Sequence, residues 1–478
     1  MHFKTKPWEH QVKALEVSIP YSGYYYGMDM GTGKTKVAID CINQFDAKRI
    51  LVICPKKAIP VWPYQFDLHS VNPFEYVAFT PGNKQYSEKF NTEKKAKIIY
   101  SRVKLAEAAN RRVVVILNYD LFWRPPLGGV YNKFRRVKTG VLESLNWDMI
   151  IYDEAHRLMT PGGRASWGAE RLLEKTKIVR LLSGTPMPNG DYSNIYAQYR
   201  AMDQGIFGTS FARFKTKYFN LGGFGGKQIV SVKPEMQEEL EQKLASRMFV
   251  VRKEDVLDLP ELLHVPIYCE LGEAAQKIYD ELDSELITEV EGDKISIANV
   301  LVKSLRLAQL AAGWLTFDDD KGTKIVDNSK IEAIEELIED IPKDEPLVIF
   351  AKFTNEIRRI REVLTKGKRT HGEVSGFANN LADWQAGKLN TIVVQTRAGG
   401  EGIDMTRARY AVSFSKEFSP GANSQCWARI HRPGQTKKTT IYHIITKNTM
   451  DVRIESANRR KMKLIDYIME VAKRDKAA

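Results

Sequence analysis

The sequence predicts an α/β fold made of two domains, each built around a mainly parallel β-sheet. Short apolar runs alternate with amphipathic helical patterns along most of the 478 residues, which is typical of strand–helix–strand units. The alternation occurs in two series, separated by an irregular stretch at about 203–345. We therefore expect an N-terminal domain over 1–250, with an insertion at about 203–245. A C-terminal domain over 251–478 would follow, beginning with a linker that reaches to about residue 345.

The strands are predicted from apolar runs bounded by polar residues or proline. In the first series the runs are Ile50–Cys54, Val113–Leu117, Met149–Tyr152 and Ile178–Leu182. In the second series they are Leu347–Phe350, Thr391–Val394, Tyr410–Phe414 and Thr440–Ile445. Helical patterns lie between the runs, for example at 331–340, where aliphatic residues recur on one face. Two sheets with covering helices follow from this order.

Composition excludes several classes of protein. Apolar residues make up 43% and charged residues 27% of the chain, which is ordinary for a globular protein and excludes disorder. Apolar runs stay well below the roughly 20 residues of a membrane span, and the first residues lack the apolar core of a secretory signal. The four cysteines are scattered without a C-x-x-C pair, so we expect reduced thiols and neither zinc nor disulfides. These features predict a cytosolic protein.

The net charge of +13 is unevenly distributed. Residues 94–138 contain twelve basic and two acidic residues, whereas residues 270–293 contain nine acids and one lysine. Tyrosines and a tryptophan interleave with the bases of the first block, as in many phosphate-binding surfaces. A basic block is also compatible with an ordinary solvated face. Charge alone leaves both interpretations open.

A phosphate-binding loop is predicted at GTGKT, residues 31–35. Glycines let backbone N–H groups turn toward phosphates, Lys34 can reach the terminal phosphates, and the Thr35 hydroxyl suits Mg²⁺. An apolar helix follows at once, so its N-terminus would add a favourable dipole. Met28 stands where the strict pattern has its first glycine. The loop is therefore incomplete by one residue.

A second motif, which is acidic, strengthens the prediction of a phosphate-binding loop. The apolar run at 149–152 ends in Asp153, Glu154, Ala155 and His156. A carboxylate at the end of a buried strand can hold Mg²⁺, and its neighbour can polarise an attacking water. A glycine loop followed by this acidic pair predicts hydrolysis of a nucleoside triphosphate.

These residues are similar to motifs I and II of the superfamily-two nucleic-acid motors, and within that group the sequence resembles the Swi/Snf-like DNA translocases. In the first half the resemblance extends to WEHQ at 8–11 (the Q motif), ILVICPKKAIPVW at 50–62 (motif Ia), LNYDLF at 117–122 (motif Ib), SGTP at 183–186 (motif III) and the junction segment 249–271. In the second half it includes PLVIFAKFTNEI at 346–357 (motif IV), QTRAGGEGIDMTRA at 395–408 (motif V) and QCWARIHRPGQ at 425–435 (motif VI). The resemblance covers nearly the whole chain.

The resemblance implies two RecA-like domains with an ATP cleft between them, and it assigns roles to individual residues. The implied ATP-binding residues are Gln11, which would read adenine, Met30, Gly31, Thr32, Gly33, Lys34, Thr35, Gly402 and Asp404. The implied catalytic residues are Lys34, Asp153, Glu154, Arg429 and the arginine finger Arg432, with Mg²⁺ at Thr35 and Asp153. Coupling is assigned to Ser183, Thr185 and Gln425, and DNA contacts to Pro55, Lys56, Lys57, Asn118, Tyr119, Thr396 and Arg397.

The implied function is that of a DNA-dependent ATPase. It would use ATP and Mg²⁺ to move along DNA in replication, recombination or repair, holding the DNA backbone without sequence preference. We expect a monomeric motor without a membrane partner or an attached accessory domain, in the cytoplasm of a bacterium or a phage-infected cell. Protein partners are not predicted.

Alternatives remain. Asp404 stands where many Swi/Snf-like proteins have Asn, and Asp is more typical of helicases proper. A strand-separating helicase on forked DNA would need a wedge, for which Phe207, Phe211, Phe214 and Phe219 of the 203–235 insertion are candidates, although such phenylalanines are more often core residues. The chain could also be a partner-recruited remodeller that displaces bound proteins. A DNA-binding protein with an inactive ATPase is disfavoured by the intact catalytic residues.

Overall fold

In the computed structural model the chain forms two compact units, Met1–Leu257 with Lys463–Ala478, and Asp258–Met462. The structure describes residues 2–132, 135–188, 192–222, 226, 228–291, 297–316, 322–399 and 403–474. Each unit contains one large sheet in which every neighbouring pair of strands is parallel. The predicted α/β class with mainly parallel sheets is confirmed.

The first unit contains eleven named strands within its described residues. They are β1 (Gly23–Met28), β2 (Arg49–Cys54), β3 (Glu75–Ala78), β4 (Val113–Asn118), β5 (Val130–Asn132), β6 (Arg135–Lys138), β7 (Trp147–Asp153), β8 (Thr176–Leu182), β9 (Phe219–Gly222), β10 (Gln228–Val232) and β11 (Met248–Val251). Its helices are α1 (Glu9–Ser18), α2 (Lys34–Phe45), α3 (Val61–His69), α4 (Thr92–Ala108), α5 (Val141–Ser144), α6 (Arg164–Leu173), α7 (Tyr192–Met202), α8 (Phe211–Tyr218), α9 (Pro234–Ser246) and α10 (Lys253–Val256). Short 3₁₀ turns lie at Lys56–Ala58 and Ala155–Arg157.

The seven-stranded sheet of this unit has the order β11-β1-β8-β7-β2-β4-β3. Because all its strands are parallel, their carboxyl ends meet at one edge, the usual place for a ligand site in an open α/β sheet. The register pairs Asp153 with Leu182, and Cys54 with Asn118. The ends of β2, β4, β7 and β8 therefore lie side by side.

One charged residue is buried inside this sheet. Arg180 in β8 has no exposed surface, although the sequence places it in an apolar run. Its guanidinium donates to the carbonyl oxygens of Ser22, Val179 and Ser18 at 2.9–3.1 Å. A buried charge is tolerated when it is hydrogen-bonded, and here both terminal nitrogens of the guanidinium are. Arg180 thereby ties β8 to the end of α1.

The 203–245 region contains its own small structure. Strands β9 and β10 form an antiparallel hairpin between α8 and α9, and β11 then returns to the main sheet. Phe207, Phe214 and Phe219 are buried, and the Phe214 ring lies 5.1 Å from Phe207 and 5.3 Å from Phe219. These three rings are core residues, so they do not form the exposed wedge that the helicase alternative needs, whereas Phe211 is half-buried.

The second unit is organised around a six-stranded sheet in the order β12-β19-β18-β15-β17-β16. Its strands are β12 (Leu262–Cys269), β13 (Trp314–Thr316), β14 (Thr323–Ile325), β15 (Leu347–Ala351), β16 (His371–Val374), β17 (Thr391–Gln395), β18 (Tyr410–Ser413) and β19 (Thr439–Thr446). Its helices are α11 (Glu273–Glu291), α12 (Ile297–Ala311), α13 (Ser329–Glu339), α14 (Thr354–Lys366), α15 (Leu381–Gln385), α16 (Thr396–Gly399), α17 (Pro420–Trp427) and α18 (Met450–Arg474), the last of which continues past the unit boundary.

The expected linker is partly structured. Residues 262–269 form the edge strand of the second sheet, and α11 and α12 contribute to a separate apolar cluster with Met450 and Ile454. In the part of the chain that the structure describes, no helix has the length and apolar character needed to cross a membrane.

Candidate functional site

The phosphate-binding loop joins β1 to α2. Gly31 and Gly33 have φ angles of 86° and 84°, a left-handed conformation that glycine adopts without steric cost. A Cβ atom on Gly33 would lie 2.2 Å from Nε2 of Gln11. The Lys34 ammonium donates to the carbonyls of Met28 at 2.7 Å and Asp29 at 3.1 Å. The loop is thus folded around its lysine, with the α2 N-terminus beside it.

Gln11 holds the same loop from the side of α1. Its amide nitrogen donates to the Thr32 carbonyl at 3.1 Å, and its amide oxygen accepts from the Trp8 backbone at 2.9 Å. A ring nitrogen of His10 lies 2.8 Å from the same Thr32 carbonyl. The recognition of adenine by Gln11 remains a prediction. The contact of His10 was not predicted, although it is next to Gln11 in the sequence.

Asp153 and Glu154 lie at the carboxyl end of β7. Nε1 of Trp62 donates to Oδ2 of Asp153 at 3.2 Å. Burial and, to a smaller extent, the Glu154 charge raise the pKa of Asp153 to about 7, with Lys34 opposing the shift. Glu154 has φ 53°, an unusual backbone conformation for a non-glycine residue that often marks a functional turn. Trp62 belongs to the motif Ia segment, but the sequence of that motif did not predict its contact with Asp153.

His156 connects the acidic motif to motif III. Its Nδ1 lies 3.3 Å from the Glu154 carboxylate and 3.0 Å from the Ser183 hydroxyl. The Ser183 hydroxyl also accepts from the backbone N–H of Thr185 at 3.1 Å. Gly184 lies against the phosphate loop, since a Cβ atom there would be 3.2 Å from the Met28 carbonyl. Motif III therefore contacts both nucleotide motifs.

A further acidic residue, Asp29, connects the phosphate loop to the segment after β11. Asp29 accepts from the backbone N–H of Lys253 at 3.1 Å, and burial raises its pKa. Lys253 begins α10 after the sheet strand β11. The junction segment is thereby attached to the phosphate loop, a contact that the sequence pattern did not predict.

The predicted DNA contacts of the first unit are divided between exposed and buried residues. Lys56 and Lys57 are exposed at the end of β2, and Lys56 pairs with Glu88 at 3.2 Å. Pro55 is buried, and Asn118, at the end of β4, is half-buried. Tyr119 is only 5% exposed, and its hydroxyl donates to the Asp153 carbonyl at 2.9 Å. The Tyr119 side chain thus supports the acidic motif, and contact of this residue with DNA remains a prediction.

Part of the basic block at 94–138 is engaged inside the fold, as far as the structure describes it. Lys95 is buried and donates to the Glu88 carbonyl at 2.7 Å. Arg102 pairs with Glu75 at 3.3 Å, and Arg112 pairs with Asp46 near the amino ends of the strands. Lys133 lies outside the described residues, as do the side chains of Arg135 and Arg136. Some of the basic side chains of this block therefore form hydrogen bonds or ion pairs within the protein.

Motif VI lies on α17 and the loop after it. Gln425 is on α17, and the backbone carbonyl of Arg429 accepts from Met405 N–H at 3.0 Å. Arg432 Nη1 lies 4.0 Å from Oδ2 of Asp404. The other Asp404 oxygen accepts from the Thr406 hydroxyl at 2.7 Å. Asp404 thus joins motif V to motif VI, while the predicted Gly402 lies outside the described residues.

The two DNA contacts predicted in motif V differ in the structure. Thr396 is buried, and its hydroxyl donates to the Ala351 carbonyl at 3.2 Å. The Thr396 side chain thus supports β15, and contact of this residue with DNA remains a prediction. The Arg397 side chain is 83% exposed and donates from Nε to Glu417 at 3.3 Å. Of these two residues, Arg397 is therefore the one with an exposed side chain that could contact a phosphate.

The residues near the phosphate loop fit a magnesium ion bound together with a nucleotide. Among the described residues there is no group of three or more His, Cys, Asp or Glu that could hold a metal by itself. Mg²⁺ commonly takes one or two protein ligands and completes its shell with phosphate oxygens and water. The Thr35 hydroxyl and the buried Asp153 carboxylate, which accepts one hydrogen bond from Trp62, are a suitable donor set.

Fold and site together define a nucleoside-triphosphate-binding core of the helicase class. The SNF2-related domain model matches residues 25–312, and the helicase conserved C-terminal domain model matches residues 329–434. The first match covers more than half of the chain, and the chain belongs to the SNF2-related family.

Several relatives show how widely this sequence type occurs. The chain is 24% identical to "Putative protein p41" of Acyrthosiphon pisum secondary endosymbiont phage 1, over 99% of both proteins. It is 23% identical to the CHD3-type chromatin-remodeling factor PICKLE of Arabidopsis thaliana, over 91% of this chain and 32% of that protein. It is 23% identical to the putative ATP-dependent helicase/translocase YwqA of Bacillus subtilis, over 70% of this chain and 37% of that protein. The chain therefore spans about a third of the two longer proteins.

Among solved structures, the SWI2/SNF2 ATPase core of Sulfolobus solfataricus in complex with dsDNA is similar to this chain. The TM-score is 0.43 at 20% sequence identity, and the match covers 95% of this chain and 91% of that one.

Proposed function

We propose that this SNF2-family helicase core is a DNA-dependent ATPase that moves along duplex DNA. The observation that carries the proposal is the arrangement at one sheet edge of the first unit. The phosphate loop, the Asp153–Glu154 pair and motif III are connected there through Lys34, His156 and Ser183. Such an arrangement suits hydrolysis that is linked to movement, because His156 and Ser183 connect Glu154 to motif III through short polar contacts, while the Lys34 charge acts on Asp153 electrostatically.

In the proposed mechanism each residue has one task. Lys34 leaves its carbonyl partners for the β- and γ-phosphates, while the loop amides and the α2 N-terminus hold the triphosphate. Glu154 orients the attacking water, and His156 holds Glu154 in place. Arg429 and Arg432 supply positive charge to the γ-phosphate during hydrolysis. Thr35 and Asp153 would hold Mg²⁺, which neutralises charge on the phosphates when it is bound.

We further propose that DNA is held through its phosphates. Lys56, Lys57 and Arg397 are the exposed cations among the predicted contacts. Contacts to phosphates carry little sequence information and release counterions, so binding should be independent of sequence and should weaken steeply with salt. We expect the protein to act as a monomer on DNA during replication, recombination or repair.

Triplex displacement tests the proposal directly. A labelled third strand is annealed to a duplex, and its release is followed after addition of ATP, with a forked duplex as the parallel substrate. We expect ATP-dependent release of the third strand without separation of the fork. Separation of the fork without triplex displacement would favour the strand-separating helicase. No ATP-dependent effect on either substrate would contradict a motor function.

A further inference from the structure

An ionic cluster of the second unit, buried except for Arg397, joins motif IV, motif V and the loop before α17. Glu417 lies in the loop between β18 and α17 and is 6% exposed. One carboxylate oxygen accepts from Nε of Arg397 at 3.3 Å, and the other lies 3.7 Å from the Lys352 ammonium. Lys352 belongs to motif IV and Arg397 to motif V. One carboxylate therefore contacts cations from both motifs.

Lys352 holds the inner side of this cluster. Its side chain is almost completely buried, and its ammonium lies 3.9 Å from the centre of the Phe418 ring. Burial lowers the pKa of Lys352, whereas the nearby Glu417 carboxylate raises it again. A buried ammonium is stable only beside an anion. Glu417 is thus held from within by Lys352 and has little freedom to follow the movements of Arg397.

The backbone of Glu417 is fixed as firmly as its side chain. Its N–H donates to Oδ1 of Asn423 at 3.0 Å, and its carbonyl accepts from Nδ2 of Asn423 at 3.0 Å and of Asn458 at 3.1 Å. Asn423 is part of α17, the helix that also contains Gln425 of motif VI. The backbone that carries the carboxylate is therefore attached to α17.

Arg397 has the opposite environment. Its side chain is 83% exposed, and its contact with Glu417 is made through Nε, close to the aliphatic stem. A long side chain that is exposed to this extent loses much rotamer freedom when it binds a phosphate. A fixed acceptor at Nε lowers that cost because the guanidinium is already oriented.

We propose that Glu417 is a positioning residue for DNA binding, which orients Arg397 toward a backbone phosphate and anchors it to α17. The inference rests on the proposed function, since it assigns to Glu417 the preorganisation of a predicted DNA contact. Glu417 itself carries the wrong charge to touch a phosphate, so it acts through Arg397 alone.

A double-mutant cycle tests this inference on the full-length protein. Binding of a fluorescein-labelled duplex is measured by anisotropy at several salt concentrations for wild type, Glu417→Ala, Arg397→Ala and the double variant. We expect Glu417→Ala to raise the Kd about 5-fold in the wild-type background and less than 2-fold in the Arg397→Ala background, because coupled residues are not additive. An equal loss in both backgrounds would overturn the inference. So would tighter binding by Glu417→Ala, which would mean that Glu417 opposes DNA.

Two further variants distinguish the orienting effect of Glu417 on Arg397 from a loss of protein stability and from a change of charge. Glu417→Gln keeps an oxygen that accepts from Nε, so its Kd should stay within 2-fold of wild type. Arg397→Lys keeps the positive charge but lacks Nε, so it should bind as weakly as Glu417→Ala even if that variant folds poorly. Equal binding by Arg397→Lys and wild type would contradict the role of the Nε contact.

A matched control is available in the same region. Lys416, next to Glu417 in sequence, pairs with Glu455 of α18. Glu455→Ala removes a comparable ion pair without touching motifs IV and V, and it should leave the Kd for DNA unchanged. If wild type fails to bind duplex DNA at all, the proposed function is wrong. If wild type binds DNA and Arg397→Ala binds equally well, only the present inference fails.

Discussion

At the scale of single residues, the phosphate loop depends on glycine at position 33. Its φ of 84° strains any other residue, and a Cβ atom would lie 2.2 Å from Nε2 of Gln11. We expect Gly33→Ala to destabilise the fold by about 1–2 kcal/mol and to weaken ATP binding at least 10-fold. Gly82→Ala is the control: Gly82 has φ 76° but nothing within 4 Å of its Cβ position. Fluorescent ATP-analogue titration would separate the two, and equal affinity of both variants would refute the close contact.

The raised pKa of Asp153 gives a prediction about pH. Its pKa in the folded protein is about 7, against an ordinary value of 3.8. Ionising this buried carboxyl weakens the folded state increasingly as pH rises from 4 to 7. Asp153→Asn removes this penalty, so it should stabilise the nucleotide-free protein by up to about 4 kcal/mol at pH 8 and less than about 2 kcal/mol at pH 5. Urea unfolding at both pH values checks this, and a pH-independent difference would contradict the assigned environment.

At the scale of elements, motif III links the nucleotide motifs through one hydroxyl. Ser183 contacts His156 at 3.0 Å and accepts from Thr185 at 3.1 Å. We expect Ser183→Ala to bind ATP within 2-fold of wild type but to lose at least 5-fold in the DNA-stimulated kcat, since the phosphate contacts remain while the link to Glu154 is broken. Ser166→Ala, at an equally buried serine of α6, should retain full stimulation. Equal rates for the two variants would exclude a coupling role.

The insertion gives a second prediction at this scale. Phe214 is 2% exposed and packs against Phe207, Phe219 and Tyr218. Phe214→Ala should therefore cost about 3–5 kcal/mol of stability through the cavity it leaves. Phe377→Ala, at a ring that is 84% exposed, should change stability by less than about 0.5 kcal/mol. Thermal unfolding distinguishes the two; an unchanged melting temperature for Phe214→Ala would return these rings to the exposed wedge of the helicase alternative.

Elements were predictable where periodicity and burial coincide. The runs at 50–54, 113–117, 391–394 and 410–414 correspond to β2, β4, β17 and β18 within one or two residues. The edge strand β12 was expected as part of the linker, although its half-buried and exposed residues alternate regularly from Leu263 to Cys269. Its place is fixed by pairing with β19, which is remote in sequence. A pattern of neighbouring residues in the sequence cannot predict pairing with a strand so far along the chain.

At the scale of the whole molecule, neither local charge nor position within a motif predicts reliably which side chains are accessible to DNA. Tyr119 and Thr396 belong to predicted DNA-contact motifs, yet both face inward and support a catalytic or structural neighbour. Likewise, Arg102 and Arg112 of the basic block pair with acids that lie elsewhere along the chain. Motif type is encoded locally, whereas the direction of each side chain is decided by tertiary packing. Residues such as Glu417, which lie between motifs, carry no local signal.

The central claim is that duplex DNA stimulates ATP hydrolysis at the loop of the first unit. The most direct measurement is steady-state ATP turnover by the full-length protein with and without duplex DNA, for wild type, Lys34→Ala and Glu154→Gln. We predict at least 10-fold stimulation of wild type by duplex DNA and a loss of at least 100-fold in both variants. A wild-type rate that does not respond to DNA, or variants that hydrolyse ATP at the wild-type rate, would contradict the account.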